Sequence, residues 1–355
     1  MGTSNDEHAG RFRRTGSIGA IFITACMYLA VPSPVRVRAN VSITAIDPTG
    51  RIAAGDKHTC AIAIDNTIWC WGYNRYVQLG ASSSFSDDFS SIPIQTTALP
   101  GSRIAKRIVA GADHTCVLAT DGTVWCWGQN GNGNLGDGSF LNQGDPVQAV
   151  LGATATMVAA GGSTTCAALT DNSLKCWGRN NTGQLGNGTF GSAAVTTPVY
   201  TLLVPDSFTV AHIEIGTTHS CAISVAGAAW CWGQSTYGRL GTTASTNAVT
   251  PSGTASLGST ASEVAAGGAH TCALLTNGLV SCFGYNNMGQ LGQALATASS
   301  STPTLVTLAE TATHVTAGSQ FTCVLLSTAA VHCFGDNADS QLGSGSSGSA
   351  RETPG

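Results

Sequence analysis

Cysteine and histidine are the residues of this sequence with the strongest chemical character, and both recur at fixed spacing. Twelve of the 13 cysteines form six pairs whose members are ten residues apart: Cys60 with Cys70, Cys116 with Cys126, Cys166 with Cys176, Cys221 with Cys231, Cys272 with Cys282, and Cys323 with Cys333. Structural zinc sites favour closely spaced ligand pairs, whereas a spacing of ten fits a bridge across a hairpin. The spacing therefore predicts six disulfides formed in an oxidising compartment and no metal site; a zinc site that uses His58, Cys60 and Cys70 is the alternative.

The histidines share one repeat position, two residues before the first cysteine of a pair: His58, His114, His219 and His270. Catalysis needs one arranged site rather than four copies of one, so these histidines are predicted to be structural hydrogen-bonding residues. The aromatic residue after each second cysteine is equally periodic and is predicted to pack in the core, with a sugar-stacking platform as the alternative: Trp71, Trp127, Trp177, Trp232, Phe283 and Phe334. No nucleophile elbow, phosphate loop or paired-carboxylate motif accompanies them, so no catalytic residue and no cofactor is predicted.

These residues belong to a repeat that aligns six times without gaps, which is typical of solenoids and propellers. The repeat is clearest from Ala110 to Gly136, where Gly111 is the opening glycine and Gly136 the closing glycine of the repeat. His114 to Ala119 and Thr123 to Trp127 are predicted to form two strands joined by a three-residue turn, whose third residue should have positive φ. That turn pairs Ala119 with Thr123 and therefore places Cys116 opposite Cys126, which is within disulfide reach.

Two further strands complete each period. One starts near a proline, as at Pro146, and the other leads into the next opening glycine, as from Ile104 to Ala110. Four antiparallel strands repeated radially make a β-propeller, here of six blades or an incomplete seven. We expect residues 41–46 and 51–54 to supply the two strands that the last repeat lacks, so that N-terminal strands close the ring. The domain prediction is a leader over residues 1–39 and a propeller over residues 40–355.

The N-terminal residues resemble an export signal. A basic segment from Arg11 to Arg14 precedes an apolar stretch over residues 15–31, and cleavage after Ala39 would leave Asn40 as the first residue. A lipoprotein signal with Cys26 as the lipidated residue and an uncleaved membrane anchor are the alternatives. From residue 40 onward the chain carries 10 basic and 17 acidic residues, and this acidic balance argues against nucleic acid as a partner.

The repeat resembles that of the regulator of chromosome condensation family. The resemblance covers residues 40–355 and rests on motif residues such as Gly111, His114, Trp127, Gly128 and Gly136. It implies a propeller, usually of seven blades, and a structural role for these residues. The cysteine pairs depart from the eukaryotic pattern and look like an exported bacterial branch. The founding activity of the family is nucleotide exchange on a small nuclear GTPase, and no residue of that activity carries over to this chain.

The expected function is that of an exported, non-catalytic scaffold, located in the periplasm, on the cell surface or outside the cell. Function on such a ring sits on its variable loops, here residues 81–92, 187–197 and 200–208. The expected partner is another protein or an extracellular ligand, and the binding residues are not assigned. A guanine-nucleotide exchange factor and a secreted propeller enzyme are the alternatives.

Overall fold

The computed structural model describes residues 50–81, 87–202, 208–254, 256–294, 298–345, 347–348, 350–351 and 353–354. The predicted leader and residues 41–46 lie outside this part of the chain. The described residues form six antiparallel sheets arranged as the blades of a β-propeller, five with four strands and one with three. The predicted all-β propeller is therefore confirmed. No helix in the described ranges has the length and hydropathy needed to cross a membrane.

Each blade runs from an inner strand through a hairpin to an outer strand. The blades, in chain order, are β1 (Ile52–Ala54), β2 (His58–Ile62), β3 (Ile68–Tyr73) and β4 (Phe89–Gln95); β5 (Ala105–Ala110), β6 (His114–Ala119), β7 (Val124–Gly128) and β8 (Gln143–Gln148); β9 (Ala155–Gly161), β10 (Thr164–Leu169), β11 (Leu174–Gly178) and β12 (Val195–Tyr200); β13 (Val210–Ile215), β14 (His219–Ser224), β15 (Ala229–Gly233) and β16 (Ala248–Gly253); β17 (Ala261–Ala266), β18 (His270–Leu275), β19 (Val280–Tyr285) and β20 (Ser299–Leu305); and β21 (Ala312–Ala317), β22 (Phe321–Leu326) and β23 (Val331–Gly335). Short 3-10 turns lie at Pro100–Ser102 and Thr236–Gly238.

The hairpin register predicted from the turn and the cysteine spacing is confirmed. In the second blade Leu118 pairs with Val124 and Cys116 with Cys126, and the same register recurs in all six hairpins. The third turn residue has positive φ in every blade, at Asn66, Gly122, Asn172, Gly227, Gly278 and Ala329.

Every blade also carries one disulfide across its hairpin. The Cα atoms of the two cysteines are 4.1 Å apart in each bridge. The bridges join Cys60 to Cys70, Cys116 to Cys126, Cys166 to Cys176, Cys221 to Cys231, Cys272 to Cys282, and Cys323 to Cys333. These are the six pairs expected from the spacing of ten, because the register places the two cysteines of each hairpin directly opposite each other.

One prediction about the remaining strands needs correction. Residues 51–54 do not belong to the last blade, because β1 pairs with β2 in the first blade. The outer strands start near a proline, as expected, and Pro146 lies inside β8. Proline is tolerated there because its missing N–H falls on the free edge of the sheet.

Apolar residues are buried between consecutive blades, in five clusters. Each cluster contains the aromatic residue that follows the second cysteine in the later of the two blades, and from the second blade onward that residue is fully buried. The closing glycine of one repeat lies under this ring. A Cβ atom on Gly136, whose φ is +75°, would lie 2.6 Å from Nε1 of Trp177, so this position has no room for a side chain.

Candidate functional site

The motif histidines hold neighbouring blades together. Nε2 of His114 lies 2.8 Å from Oγ1 of Thr165 in the next blade, and that hydroxyl donates to the backbone oxygen of Asn134 at 2.9 Å. Trp177 donates to the same oxygen at 3.0 Å. One carbonyl therefore accepts both donors in this unit. We use the name inter-blade clamp for a motif histidine, the hydroxyl that it contacts in the next blade, and the carbonyl that accepts from that hydroxyl.

The histidine–hydroxyl contact recurs in four clamps, with His58 on Thr115, His114 on Thr165, His219 on Thr271 and His270 on Thr322. Burial lowers the pKa of these histidines from 6.5 to about 4, 3, 3 and 4, in that order. The rings are therefore neutral, and their geometry fits the structural role expected from their repetition. Sequence reasoning missed their hydroxyl partners, although a Thr or Ser stands directly after the histidine position in each repeat.

A polar cluster lies where the inner strands of the last three blades meet. Nδ1 of His314 is 2.8 Å from Oε1 of Glu263, and His212 and Glu214 line the same cavity of about 140 Å³. Burial raises the pKa of Glu214 to about 7, which Arg107 opposes and the charge of Glu263 reinforces. Binding sites for small molecules usually occupy 300–1,000 Å³, so this cavity has room for a few waters only. Sequence analysis did not find this cluster.

Nothing in the described residues brings three His, Cys, Asp or Glu side chains together as ligands for a metal ion. His58, Cys60 and Cys70, the alternative zinc ligands, occupy a clamp and a disulfide. The chemistry that these groups support is bridging between strands and blades.

The exposed aromatic side chains concentrate at one end of the propeller. We call it the loop end, because the long loops between the third and fourth strands of each blade lie there; the turn end carries the three-residue hairpin turns. Tyr237 of the fourth blade stacks on Tyr285 of the fifth, with ring centroids 4.2 Å apart. Tyr73 and Tyr76 form an edge-to-face pair in the first blade, with Nζ of Lys57 5.8 Å from the Tyr73 ring.

Two phenylalanines at the loop end have no counterpart in the other blades. Phe140 and Phe190 are 56% and 66% exposed and lie four residues after the closing glycines of the second and third repeats. That position is small in the other four, at Ser84, Ser245, Ala296 and Ser347. Leu141, next to Phe140, is also exposed.

The loop that carries Phe140 is braced from two sides. Within its own blade, the buried Asn130 side chain donates to the backbone oxygen of Ser139 at 3.0 Å, and Asp137 accepts the backbone N–H of Ser139 at 3.0 Å. Towards the next blade, the N–H of Gly138 donates to the backbone oxygen of Thr196 at 3.0 Å. The exposed ring is therefore held on an ordered backbone.

The loop that carries Phe190 repeats this arrangement. The Asn180 side chain donates to the backbone oxygen of Thr189 at 3.0 Å, and the N–H of Gly188 donates to the backbone oxygen of Val249 at 2.8 Å. Of the loops expected from sequence to carry function, the one at 187–197 contains Phe190, and the described part of the one at 81–92 contains the exposed Phe89 and Ile92. Phe140 was missed, although its position in the repeat is the same as that of Phe190.

The chain is similar in sequence to known repeat proteins. A family model described as the RCC1-like domain matches residues 16–355. The ultraviolet-B receptor UVR8 of Arabidopsis thaliana is 29% identical over 267 residues, which are 74% of this chain and 46% of the receptor. The E3 ubiquitin-protein ligase HERC2 of Homo sapiens is 31% identical over 258 residues, which are 72% of this chain and 5% of the ligase. The chain thus spans less than half the length of these curated relatives.

Solved structures share the fold at low identity. Yeast RCC1 (Prp20), solved bound to Kap60, has a TM-score of 0.77 at 19% identity, over 85% of this chain and 73% of that one. The ectodomain of the Arabidopsis thaliana receptor kinase ACR4 has a TM-score of 0.50 at 17% identity, over 80% of this chain and 78% of that one. At these identities the likeness concerns the architecture.

Proposed function

Because this chain belongs to the RCC1-like domain family, we propose that it is an exported, non-catalytic propeller that binds another protein through its loop end. The observation that carries the proposal is the pair of exposed phenylalanines, Phe140 and Phe190, on braced loops. Aromatic side chains held on a rigid backbone lose little conformational entropy on binding, and they commonly dominate the energy of protein interfaces.

The family relationship supports a protein as the partner. A second structure of yeast Prp20p is described together with its binding to Gsp1p and histones, which are proteins. The mildly acidic body of this chain does not favour phosphate-rich partners. The loop end is asymmetric, since only the second and third repeats have a phenylalanine four residues after the closing glycine. This asymmetry supports one preferred docking side.

Export is supported by the six bridged cysteine pairs, because disulfides persist in oxidising compartments. The fold is compatible with such a location, as the ACR4 structure is that of an ectodomain. Alkylation without reduction, followed by intact mass, tests this part of the proposal on the full-length chain expressed in a bacterium. We expect loss of residues 1–39 and no modified cysteine. A full-length chain with every cysteine alkylated would contradict export and would favour the alternative, regulation of an intracellular GTPase.

The binding proposal is tested by comparing two double variants. Phe140→Ser with Phe190→Ser removes the loop-end rings, and Ile64→Ser with Val225→Ser removes two exposed apolar side chains from the turn end as the matched control. Each immobilised chain is incubated with exported proteins of the producing cells, and retained proteins are quantified by mass spectrometry. We expect at least one protein to be retained equally by the wild type and the turn-end variant and about tenfold less by the loop-end variant. Equal retention by all three chains, or no specific retention by the wild type, would contradict the proposal.

A further inference from the structure

An open cavity of about 400 Å³ lies at the turn end of the fourth blade. It is lined by the hairpin turn at 226–229, by Trp230 in β15, and by described residues of the segment 253–260. Sites for small molecules usually occupy about 300–1,000 Å³, so this cavity is large enough to hold one. None of the described lining residues carries a charge.

The ring of Trp230 lacks the cross-strand cover that its counterpart in the second blade has. Trp125 lies opposite Gln148, whereas Trp230 lies opposite Gly253, and directly opposite residues share one face of a sheet. A Cβ atom on Gly253 would be 4.0 Å from Cζ3 and Cη2 of Trp230, so any side chain there would begin in contact with the ring. The guanidinium of Arg103 also lies over Trp125, 5.1 Å from the ring centroid. Accordingly, Trp125 is buried and Trp230 is only half-buried, with its ring open to the cavity.

The indole N–H of Trp230 is also left without the partner that it has in other blades. In the first and second blades Nε1 of the tryptophan donates at 2.8 Å to a threonine two residues earlier. The fourth blade has Ala228 at that position, and no described residue accepts from Nε1 of Trp230. The buried Phe208 packs edge-to-face on the ring, with centroids 5.8 Å apart, so packing fixes the indole in place. The cavity therefore contains a fixed aromatic ring with a free donor.

We propose that this cavity binds carbohydrate, with Trp230 stacking on a neutral sugar ring. The C–H groups of a sugar pack well on the negative face of an aromatic ring, and its hydroxyls both accept and donate hydrogen bonds. Besides the indole donor, the hydroxyls of Ser256 and Ser259 line the cavity. A charged ligand would find no opposite charge there to offset its desolvation, which favours a neutral one. The site lies at the opposite end from Phe140 and Phe190, so it does not rest on the proposed function.

Fluorine NMR of the full chain labelled with 5-fluorotryptophan tests the inference, since each of the seven tryptophans gives its own signal. Trp230→Phe identifies the signal of interest by removing it. The probes are neutral oligosaccharides of glucose, mannose, galactose, xylose and N-acetylglucosamine. We expect at least one probe to shift the Trp230 signal to saturation, with a dissociation constant of about 1 mM. No shift with any of these probes overturns the inference, and so does a shift produced only by the charged trigalacturonate.

Two variants that introduce residue types found in other blades then test the geometry. Gly253→Gln places over the ring the residue found opposite Trp125, and it should weaken sugar binding by about tenfold. Ala228→Thr supplies the missing acceptor for the indole N–H and should weaken binding by about threefold.

Gly131→Gln is the matched control, because Gly131 is an exposed glycine at the loop end and a Cβ there would meet nothing within 4 Å. It should bind sugar as the wild type does. The other tryptophan signals report whether each variant is folded. Undiminished affinity in either the Gly253→Gln or the Ala228→Thr variant overturns the inference.

Discussion

Acid should destabilise this propeller through the four buried histidines of the inter-blade clamps. Their pKa values are about 3 to 4 in the folded chain and return to about 6.5 on unfolding. Folding lowers these pKa values, so the stability present above pH 6.5 is lost as the pH falls towards the folded values. The physical cause is burial: Nδ1 of His58, His219 and His270 has no hydrogen-bond partner, and protonation would place an unsatisfied charge in the interior.

The expected magnitude follows from the shift in pKa. Each pH unit below 6.5 costs about 1.36 kcal/mol per histidine while the folded ring stays neutral. Between pH 6.5 and pH 5 this amounts to about 2 kcal/mol for one histidine and about 8 kcal/mol for four. The total stability of a protein is about 5–15 kcal/mol, so the four histidines together are decisive.

Urea denaturation at pH 7.5 and pH 5, followed by circular dichroism, measures this difference. His270→Phe should reduce the loss of stability between the two pH values by about 2 kcal/mol, since one titrating ring is gone. Phenylalanine is chosen because Phe321 occupies the same repeat position and packs against its opening glycine. Thr120→Val, on an exposed turn outside the clamps, is the control and should leave the pH dependence unchanged, because threonine does not titrate.

The comparison is made within each variant, so that any packing cost of the substitution cancels. If His270→Phe loses as much stability between pH 7.5 and pH 5 as the wild type does, the clamp histidines are not the groups that titrate on unfolding. The reasoning from burial would then be wrong.

Two further predictions concern single groups. Thr165→Val should lower the free energy of unfolding by about 2–3 kcal/mol, because it leaves His114 without its partner and removes a donor to the backbone oxygen of Asn134. Urea denaturation measures this loss. The control, Thr120→Val on the exposed turn, should change the free energy of unfolding little. Glu214→Gln should raise the melting temperature at pH 8 and leave it unchanged at pH 4. Folding raises the pKa of Glu214 from the ordinary 4.5 to about 7, so the wild type loses stability as the pH rises through that range. An equal change in melting temperature at both pH values would show that burial of the Glu214 charge is not the cause.

The features predicted correctly from the sequence are those set by neighbours along the chain. Cys116 and Cys126 are ten residues apart, and a three-residue turn with Gly122 at positive φ leaves one register between them. The inner strand at Ala105–Ala110 could be placed for the same reason, since it leads directly into the motif. The assignment of residues 51–54 was wrong because a strand can join either the preceding or the following sheet, and nothing local decides between them.

The candidate site was only partly predictable. Residues 187–197 stood out as a variable loop and do carry the exposed Phe190, but its equivalence with Phe140 required the repeats to be compared beyond the motif. The stacking of Tyr237 on Tyr285 joins positions 48 residues apart in neighbouring blades, and their spacing carries no periodic signal.

The sequence alone determined the repeat, the hairpin, its register and the cysteine pairing, because these depend on turn geometry and on contacts within about ten residues. Only the tertiary structure decided what lies between blades: the hydroxyl partner of each histidine, the carbonyl under each tryptophan, and the cluster of Glu214 with its neighbours. These contacts join residues about 30 to 100 positions apart. Their geometry depends on how one sheet packs on the next, and that is a property of the packed blades rather than of any one repeat.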